Sequence, residues 1–251
     1  MTTPTRDPFA RLRAATPARI GLGRSGAAQP MRAQLAFQLS HARARDAVHQ
    51  SLDFDAIARD LAPLETLRVR SAAPDRATYL RRPDLGRRLA EGTELPRLDP
   101  DVALVIADGL SSDAVQRHAA ATAQTITAAL PDLRFAPVVL AEQARVAIGD
   151  QIGASLGAPL TILLIGERPG LTVADSLGAY LTFAPTPGTR DSARNCVSNI
   201  HGRGGLSIAQ AARTIAWIAR EAFRLQLTGT GLKDRSNQVT AKKAPRIDAV
   251  R

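Results

Sequence analysis

The stretch 101-DVALVIADG-109 decides the fold class of this chain. It is an almost unbroken aliphatic run that ends in Asp-Gly, and a helical pattern follows it near 112–130. A short apolar run bounded by turn residues is typical of a strand buried on both faces. The same order recurs in 135-FAPVVLAE-142 with a helix near 144–156, and in 159-PLTILLIGERPG-170 with a short helix near 172–178. This alternation predicts an α/β fold with a mostly parallel sheet flanked by helices.

The C-terminal part of this pattern contains one more strand and a well-marked helix. The run 179-AYLTFAP-185 is a further strand candidate. Ser207 and Gln210 form a capping box at the start of the last helix. An apolar stripe then follows at helical spacing, consisting of Ile208, Ala212, Ile215, Ala219 and Ala222. Gly229 and Gly231 are predicted to end this helix.

The N-terminal part predicts a helical extension of the sheet domain. A helix from about 29 to 52 places Met31, Leu35, Leu39 and Ala42 on one apolar face, and a shorter helix covers about 54–62. The resulting segments are a flexible lead-in at 1–27, a helical extension at 28–65, an α/β domain at 66–232 and a disordered basic tail at 233–251.

The composition limits the classes of partner. The net charge of +10 comes entirely from the two ends of the chain, since residues 1–50 carry +6, residues 233–251 carry +4 and the middle is neutral. No aromatic platform or nucleic-acid motif accompanies this charge, so an acidic protein surface is favoured over nucleic acid. The longest apolar runs are far shorter than the ~18–20 residues of a membrane helix. With no signal-type segment, we expect a soluble, cytoplasmic protein without a membrane partner.

A ligand is expected at the carboxyl ends of the parallel strands, where strand order reverses. Three segments at that edge combine glycine with polar residues directly before a predicted helix: 108-DGLSSDA-114, 166-GERPGL-171 and 194-RNCVSNIHGRGG-205. Their backbone N–H groups are expected to point outward, which suits a large cofactor that carries amide or phosphate groups.

Simpler interpretations of the same residues stay open. Ser111 or Ser112 is a natural helix N-cap. Glu167 has Arg168 beside it and is by default half of a surface ion pair. By helical periodicity alone, Val146 is a core residue.

The stretch 194-RNCVSNIHGRGG-205 holds the only cysteine, Cys196, close to His201. A thiol with a base and an orienting group could be a nucleophile, but a buried inert thiol is the commoner role of a free cysteine. A single cysteine excludes an intrachain disulfide. No second His, Cys or carboxylate stands at ligand spacing from His201, so no metal site is assigned.

Taken together, six stretches resemble the small subunit of ethanolamine ammonia-lyase, over about Thr16 to Lys233. They are 18-ARIGLGRSG-26, 79-YLRRPDLGRRL-89, 106-IADGLSSDA-114, 150-DQIGASLGA-158, 164-LIGERPGLTVADSLGAYL-181 and 194-RNCVSNIHGRGG-205. The resemblance implies a Rossmann-like cobalamin-binding domain at 66–232 with a helical N-terminal extension. It also implies a hetero-oligomer with a large TIM-barrel subunit.

The resemblance implies adenosylcobalamin, with its own cobalt, held base-on between the two subunits. The activity would be that of a carbon–nitrogen lyase, the radical deamination of ethanolamine to acetaldehyde and ammonia. The cofactor-contact positions of the family correspond to Val146, Glu167 and Cys196, and no catalytic residue is expected in this chain, which should be inactive alone. Asn199 stands where the cobalt-binding D-x-H-x-x-G motif has Asp, so His201 is not assigned to cobalt.

Three questions stay open at this stage. Relatives have an N-terminal region linked to packaging in a bacterial microcompartment, and the short lead-in here leaves that location undecided. A stand-alone cobalamin-binding or carrier module would bind the cofactor without a partner. An independent α/β enzyme acting on a nucleotide would use Cys196 or Asp108 and would turn over alone.

Overall fold

The computed structural model describes residues 7–16 and 18–236. Its helices are α1 Ala10–Ala15, α2 Met31–His49, α3 Phe54–Asp60, α4 Arg76–Arg81, α5 Ser112–Ala129, α6 Ile148–Leu156 and α7 Ile208–Leu225. Its strands are β1 Thr66–Arg70, β2 Val102–Ala107, β3 Val138–Glu142, β4 Leu160–Gly166, β5 Leu177–Phe183 and β6 Arg194–Ile200. None of the helices in these ranges is long and apolar enough to cross a membrane.

The six strands form one sheet in the order β1-β3-β2-β4-β5-β6. The pairs β1–β3, β3–β2 and β2–β4 are parallel. The pairs β4–β5 and β5–β6 are antiparallel. The α/β class with flanking helices is therefore confirmed. The predicted mostly parallel, Rossmann-like sheet is found only in part, because the sheet is mixed and its β4–β5–β6 side is antiparallel.

The mixed sheet follows from the connection between β4 and β5. The short helix predicted near 172–178 is wrong, because the chain from 167 to 176 contains no helix and β5 begins at Leu177. Without a crossover helix the chain turns back directly, and Gly166 pairs with Leu177 across an antiparallel ladder. Strand β5 thus starts two residues before the run predicted at 179–185.

Helices cover the two faces of the sheet unequally. One face carries α3, α5 and α7, and their apolar side chains pack on alternate residues of β2, β4, β5 and β6. On the opposite face α6 packs chiefly on β2 and β4. Within residues 7–16 and 18–236, no helix packs mainly on the β5–β6 part of that second face.

The predicted capping box of α7 is confirmed, with the Ser207 side chain accepting from the Gln210 N–H group. The predicted end is wrong. Helix α7 ends at Leu225, since Gln226 adopts a left-handed backbone conformation with φ 56°, ahead of Gly229 and Gly231.

Helix α2 lies within the predicted range 29–52, but its predicted apolar face does not pack on the domain. Met31, Leu35 and Leu39 are 73%, 57% and 52% exposed, and Ala47 is its only buried residue. Helix α1 lies inside the lead-in that was expected to be flexible. Most of the tail predicted at 233–251 lies outside the described residues.

Candidate functional site

The expected ligand crevice between the ends of β2 and β4 is filled by the chain itself. Gly109 and Gly166 face each other so closely that a Cβ on Gly109 would lie 2.3 Å from the Gly166 carbonyl oxygen. The Leu110 N–H group donates to that same carbonyl oxygen at 2.9 Å. The prediction of outward-pointing N–H groups in the 108–114 segment is therefore wrong here, because close glycine packing joins the two loops.

Asp108 stabilises this junction. Its carboxylate accepts backbone hydrogen bonds from Gly109 at 3.0 Å, Gln143 at 3.1 Å and Ala144 at 2.9 Å. Arg76 also donates to it at 3.3 Å. Burial raises the pKa of Asp108 to about 6 against the opposing effect of these hydrogen bonds and of Arg76. A carboxylate with every partner inside the protein has a structural role, which argues against Asp108 as the working group of an independent enzyme.

The N-cap of α5 is Ser111, one of the two predicted candidates. Its hydroxyl accepts from the Ala114 N–H group at 3.2 Å and donates to the Ala174 carbonyl oxygen at 2.7 Å. The residue thus ties the start of α5 to the β4–β5 loop.

The uncovered part of the sheet carries a strip of polar side chains, here named the open sheet face. Its members alternate with the residues that pack under α7: Gly178, Tyr180 and Thr182 on β5, and Arg194, Cys196 and Ser198 on β6. Tyr180 pairs with Cys196, and Thr182 pairs with Arg194. Because side chains alternate along a strand, these six positions share one side of the sheet.

A buried ion pair marks one end of the open sheet face. Arg194 on β6 binds Asp150 on α6 through two hydrogen bonds of 2.6 and 2.7 Å, and both side chains are at most 2% exposed. Arg194 also donates to the Thr182 hydroxyl at 2.9 Å. This bidentate pair connects α6 to the two antiparallel strands.

Glu167 lies at the other end of the open sheet face. Its carboxylate accepts from the hydroxyls of Ser176 and Ser198, each at 2.5 Å, and from the Asn199 N–H group at 3.3 Å. The simple interpretation as a surface ion pair with Arg168 is wrong, since no such pair occurs among the described residues. Gly178 makes room for this carboxylate, because a Cβ there would approach Glu167 Oε1 to 2.9 Å.

Cys196 is exposed between these two ends. The partial burial of its inner side and the negative charge of Glu167 raise the pKa of the Cys196 thiol, with the Tyr180 hydrogen bond opposing. A raised pKa keeps the thiol protonated at neutral pH, which is the opposite of what a nucleophile needs.

His201 does not form a pair with Cys196. A strand rises about 3.3 Å per residue, so five residues separate their Cα atoms by roughly 15 Å. His201 is buried, and its Nδ1 accepts from the Arg203 N–H group at 3.2 Å. Its ring also packs so closely on Gly205 that a Cβ there would lie 2.6 Å from Nε2. Both observations assign His201 to the turn after β6.

Val146 stands just before α6, half-buried, and contacts the core cluster of α6. It also lines a groove of about 840 Å³ together with Tyr180. A second groove of about 780 Å³ is lined by Glu167 and Ser198. Since Tyr180 is the cross-strand neighbour of Cys196, the three predicted positions Val146, Glu167 and Cys196 follow one continuous surface.

Several residues of this surface were missed by the sequence analysis. Tyr180, Gly178, Ser176, Ser198 and the Asp150–Arg194 pair have no motif of their own. The alternation of small and polar residues in β5 and β6 was the available signal, and it requires knowing that one face is uncovered.

No group of three His, Cys, Asp or Glu side chains in the described ranges could hold a metal ion. The fold and the open sheet face define a class of protein: an α/β chain with a strip of polar side chains on one side of a mixed sheet. Within that class the chain belongs to the ethanolamine ammonia-lyase light chain (EutC) family, whose sequence profile matches residues 6–233.

Ethanolamine ammonia-lyase small subunits of three bacteria align with this chain over nearly their whole length. The ethanolamine ammonia-lyase small subunit of Bradyrhizobium diazoefficiens is 53% identical, with 96% of this chain and 94% of that protein aligned. The small subunit of Xanthomonas campestris is 50% identical over 94% of this chain and 91% of its own. That of Azotobacter vinelandii is also 50% identical, over 92% and 89%.

Proposed function

We propose that this chain is the small subunit of a two-subunit ethanolamine ammonia-lyase and that its open sheet face holds adenosylcobalamin against the large subunit. One observation carries the proposal: Val146, Glu167 and Cys196, which lie far apart in sequence, line adjoining grooves and strands on the side of the sheet that the described helices cover least. The family match over residues 6–233 supports membership of an ethanolamine ammonia-lyase. The reaction proposed for the complex is the deamination of ethanolamine to acetaldehyde and ammonia.

The chemistry of these residues fits a corrinoid. A corrin ring is a broad, largely apolar disc with amide arms at its rim. Tyr180 offers an apolar ring body, and Gly178 and Cys196 are small enough to allow close approach. Glu167 Oε1 accepts a single protein hydrogen bond, from Ser198, and a carboxylate oxygen has room for a second. An amide N–H group of the ligand can therefore form a charge-assisted hydrogen bond there.

The contribution of this chain is binding and orientation. Bound adenosylcobalamin would supply the radical chemistry, and the protein would supply position and exclusion of water. Glu167, already held by two hydroxyls, is a preorganised acceptor that fixes one edge of the ligand. Val146 and Tyr180 contact the ligand through apolar surface and remove it from water. No residue of this chain acts on ethanolamine, whose contacts are assigned to the proposed TIM-barrel large subunit, so the chain alone is inactive.

Association with the large subunit is supported by the surface of α2. Exposed large apolar side chains cluster on this helix and on the segment before it: Phe9, Leu12, Leu22, Met31, Leu35, Phe37 and Leu39. A cluster of this kind marks a protein–protein contact in a monomer-sized domain. The basic charge of residues 1–50 further favours an acidic partner surface. The cytoplasmic and microcompartment locations stay predictions.

The proposal is tested with Glu167→Gln in the co-expressed two-subunit complex. Glutamine keeps the shape of Glu167 but removes the charge that strengthens its hydrogen bonds, so we expect cobalamin affinity to fall about tenfold. Retention of cobalamin after gel filtration, read by its visible absorbance, measures this effect. Glu91→Gln is the matched control, because Glu91 is exposed and lies outside both grooves. Equal retention in both variants would contradict the assignment of Glu167, and a wild-type complex without cobalamin would overturn the function.

A further inference from the structure

Four arginines line the groove next to Val146: Arg87, Arg88, Arg145 and Arg190. None of them takes part in a salt bridge among the described residues, although many other arginines of the chain do. The single carboxylate in the groove wall, Asp191, lies 3.4 Å from Arg194. The groove, named here the arginine groove, therefore has four arginines against one carboxylate and holds an excess of positive charge.

Arg145 is the most firmly held of the four. Its backbone N–H group donates to the Gly86 carbonyl oxygen at 2.7 Å, and its guanidinium lies 4.4 Å from the centre of the Tyr79 ring. Its Nε atom is buried and has no hydrogen-bond partner within the described chain. A buried donor without a partner is unfavourable. The guanidinium of Arg145 is thus not neutralised within the described chain, although the residue lines the groove.

This arrangement is suited to a phosphate ester. The planar guanidinium group donates two parallel hydrogen bonds that match the oxygens of a phosphate, and it stays charged at any physiological pH. Like charges held around one groove repel each other, and a bound anion relieves that repulsion. A groove of about 840 Å³ is large enough for a phosphate with attached organic groups.

We propose that the arginine groove binds a phosphate diester. The identity of this diester rests on the proposed function: it is the diester that links the corrin ring of cobalamin to its benzimidazole nucleotide. Tyr180 belongs to both the arginine groove and the open sheet face, and Val146 lines the groove. A ligand whose ring lies on the open sheet face therefore places its tail beside these arginines. The four arginines are then binding residues for the cofactor tail.

The test is a comparison of two corrinoids on the two-subunit complex. Cobalamin carries the phosphodiester, and cobinamide lacks both the phosphate and the nucleotide. The double variant Arg88→Gln with Arg190→Gln removes two exposed arginines that make no side-chain hydrogen bond in the described structure. We expect its affinity for cobalamin to fall at least tenfold and its affinity for cobinamide to change less than twofold, by absorbance titration.

The matched control is Arg59→Gln with Arg213→Gln. These two exposed arginines lie on α3 and α7, across the sheet, and the double substitution changes the net charge equally. It should leave both corrinoid affinities unchanged. An equal loss for cobalamin and cobinamide in the groove variant, or no loss for either, would overturn the phosphate assignment while leaving the proposed function standing.

A wild-type complex that binds no corrinoid would instead overturn the proposed function. The groove is then judged with inorganic phosphate alone, by the rise in melting temperature that it causes. A rise in the wild type that is lost in the groove variant and kept in the control would retain a phosphate site. If the wild type, the groove variant and the control all show the same rise in melting temperature, the arginine groove is not a phosphate site.

Discussion

At the scale of single residues, burial decides what each ionisable group of the site can do. Cys196 and Asp108 are the groups that could suggest an independent enzyme. The raised pKa of the Cys196 thiol and the internal hydrogen bonds of Asp108 remove both from that role. Glu167 differs from them because it stands at the edge of the open sheet face, where a ligand can reach it.

Asp108 leads to a prediction about pH. Its pKa is raised in the folded protein to about 6 from an ordinary value of 3.8, so protonation favours the folded state. The stabilisation from protonated Asp108 is complete below its ordinary pKa and is lost as pH rises through about 6. Asparagine at this position does not titrate. The measured quantity is the difference in unfolding free energy, wild type minus Asp108→Asn. We expect this difference to fall by about 2–3 kcal/mol between pH 4 and pH 7.

Denaturant unfolding across that pH range measures the difference. Asp84→Asn is the control, because hydrogen bonding to Arg82 lowers the pKa of Asp84 and gives the opposite sign. A pH-independent difference for Asp108→Asn would show that the carboxyl group keeps an ordinary pKa.

At the scale of elements, the pair of antiparallel strands β5 and β6 creates the site. On their outer face Cys196 is exposed and Tyr180 and Ser198 are half-buried, because α6 packs chiefly on β2 and β4. The buried pair Asp150–Arg194 connects α6 to these strands. This ion pair and the packing of Tyr180 against the apolar cluster of α6 together relate the position of Val146 to that of Cys196.

Replacing Asp150 by alanine should lower the unfolding free energy by about 3–5 kcal/mol, because Arg194 would stay buried without its counter-charge. Denaturant unfolding of the purified chain checks this value. Asp84→Ala is the control, because it breaks the exposed pair with Arg82, which solvent screens, and should change stability far less. A comparable loss in the two variants would show that the buried pair does not hold α6 to β6.

At the scale of the whole molecule, apolar side chains are well buried in the sheet domain but exposed to solvent on α2. The sheet domain buries its core on both sides, whereas α2 presents leucines to solvent. The open sheet face and the exposed side of α2 are the two surfaces that a large subunit is proposed to cover.

The double variant Leu35→Ser with Leu39→Ser should weaken association with the large subunit at least tenfold, because each buried leucine contributes about 1.5–3 kcal/mol. Its own melting temperature should stay unchanged, since both side chains are already exposed. Gel filtration of mixed subunits measures the association. Leu98→Ser with Leu225→Ser is the control, with leucines 44% and 39% exposed elsewhere. If both variants associate equally well with the large subunit, the proposed contact is wrong. The same conclusion follows if the substitutions on α2 disrupt only a dimer of this chain with itself.

Local pattern was sufficient for the parts of this protein that depend on near neighbours in sequence. The apolar runs predicted β2 and β4, helical periodicity predicted α5 and α7, and the six motif blocks identified the family. Such signals are readable because backbone preference and side-chain burial repeat within a few residues. The strand β1 was missed, since its alternation of Leu67 and Val69 with arginines gives no apolar run.

Tertiary structure alone decided the site. The antiparallel return of β5, the absence of a helix over β5–β6 and the closure of the β2–β4 crevice all depend on contacts between distant segments. The arginine groove is assembled from three separate loops, so no spacing in the sequence could indicate it. The sequence shows which residues carry reactive or polar groups. Long-range packing decides which of these residues share a surface, because strand order and helix placement are properties of the whole sheet.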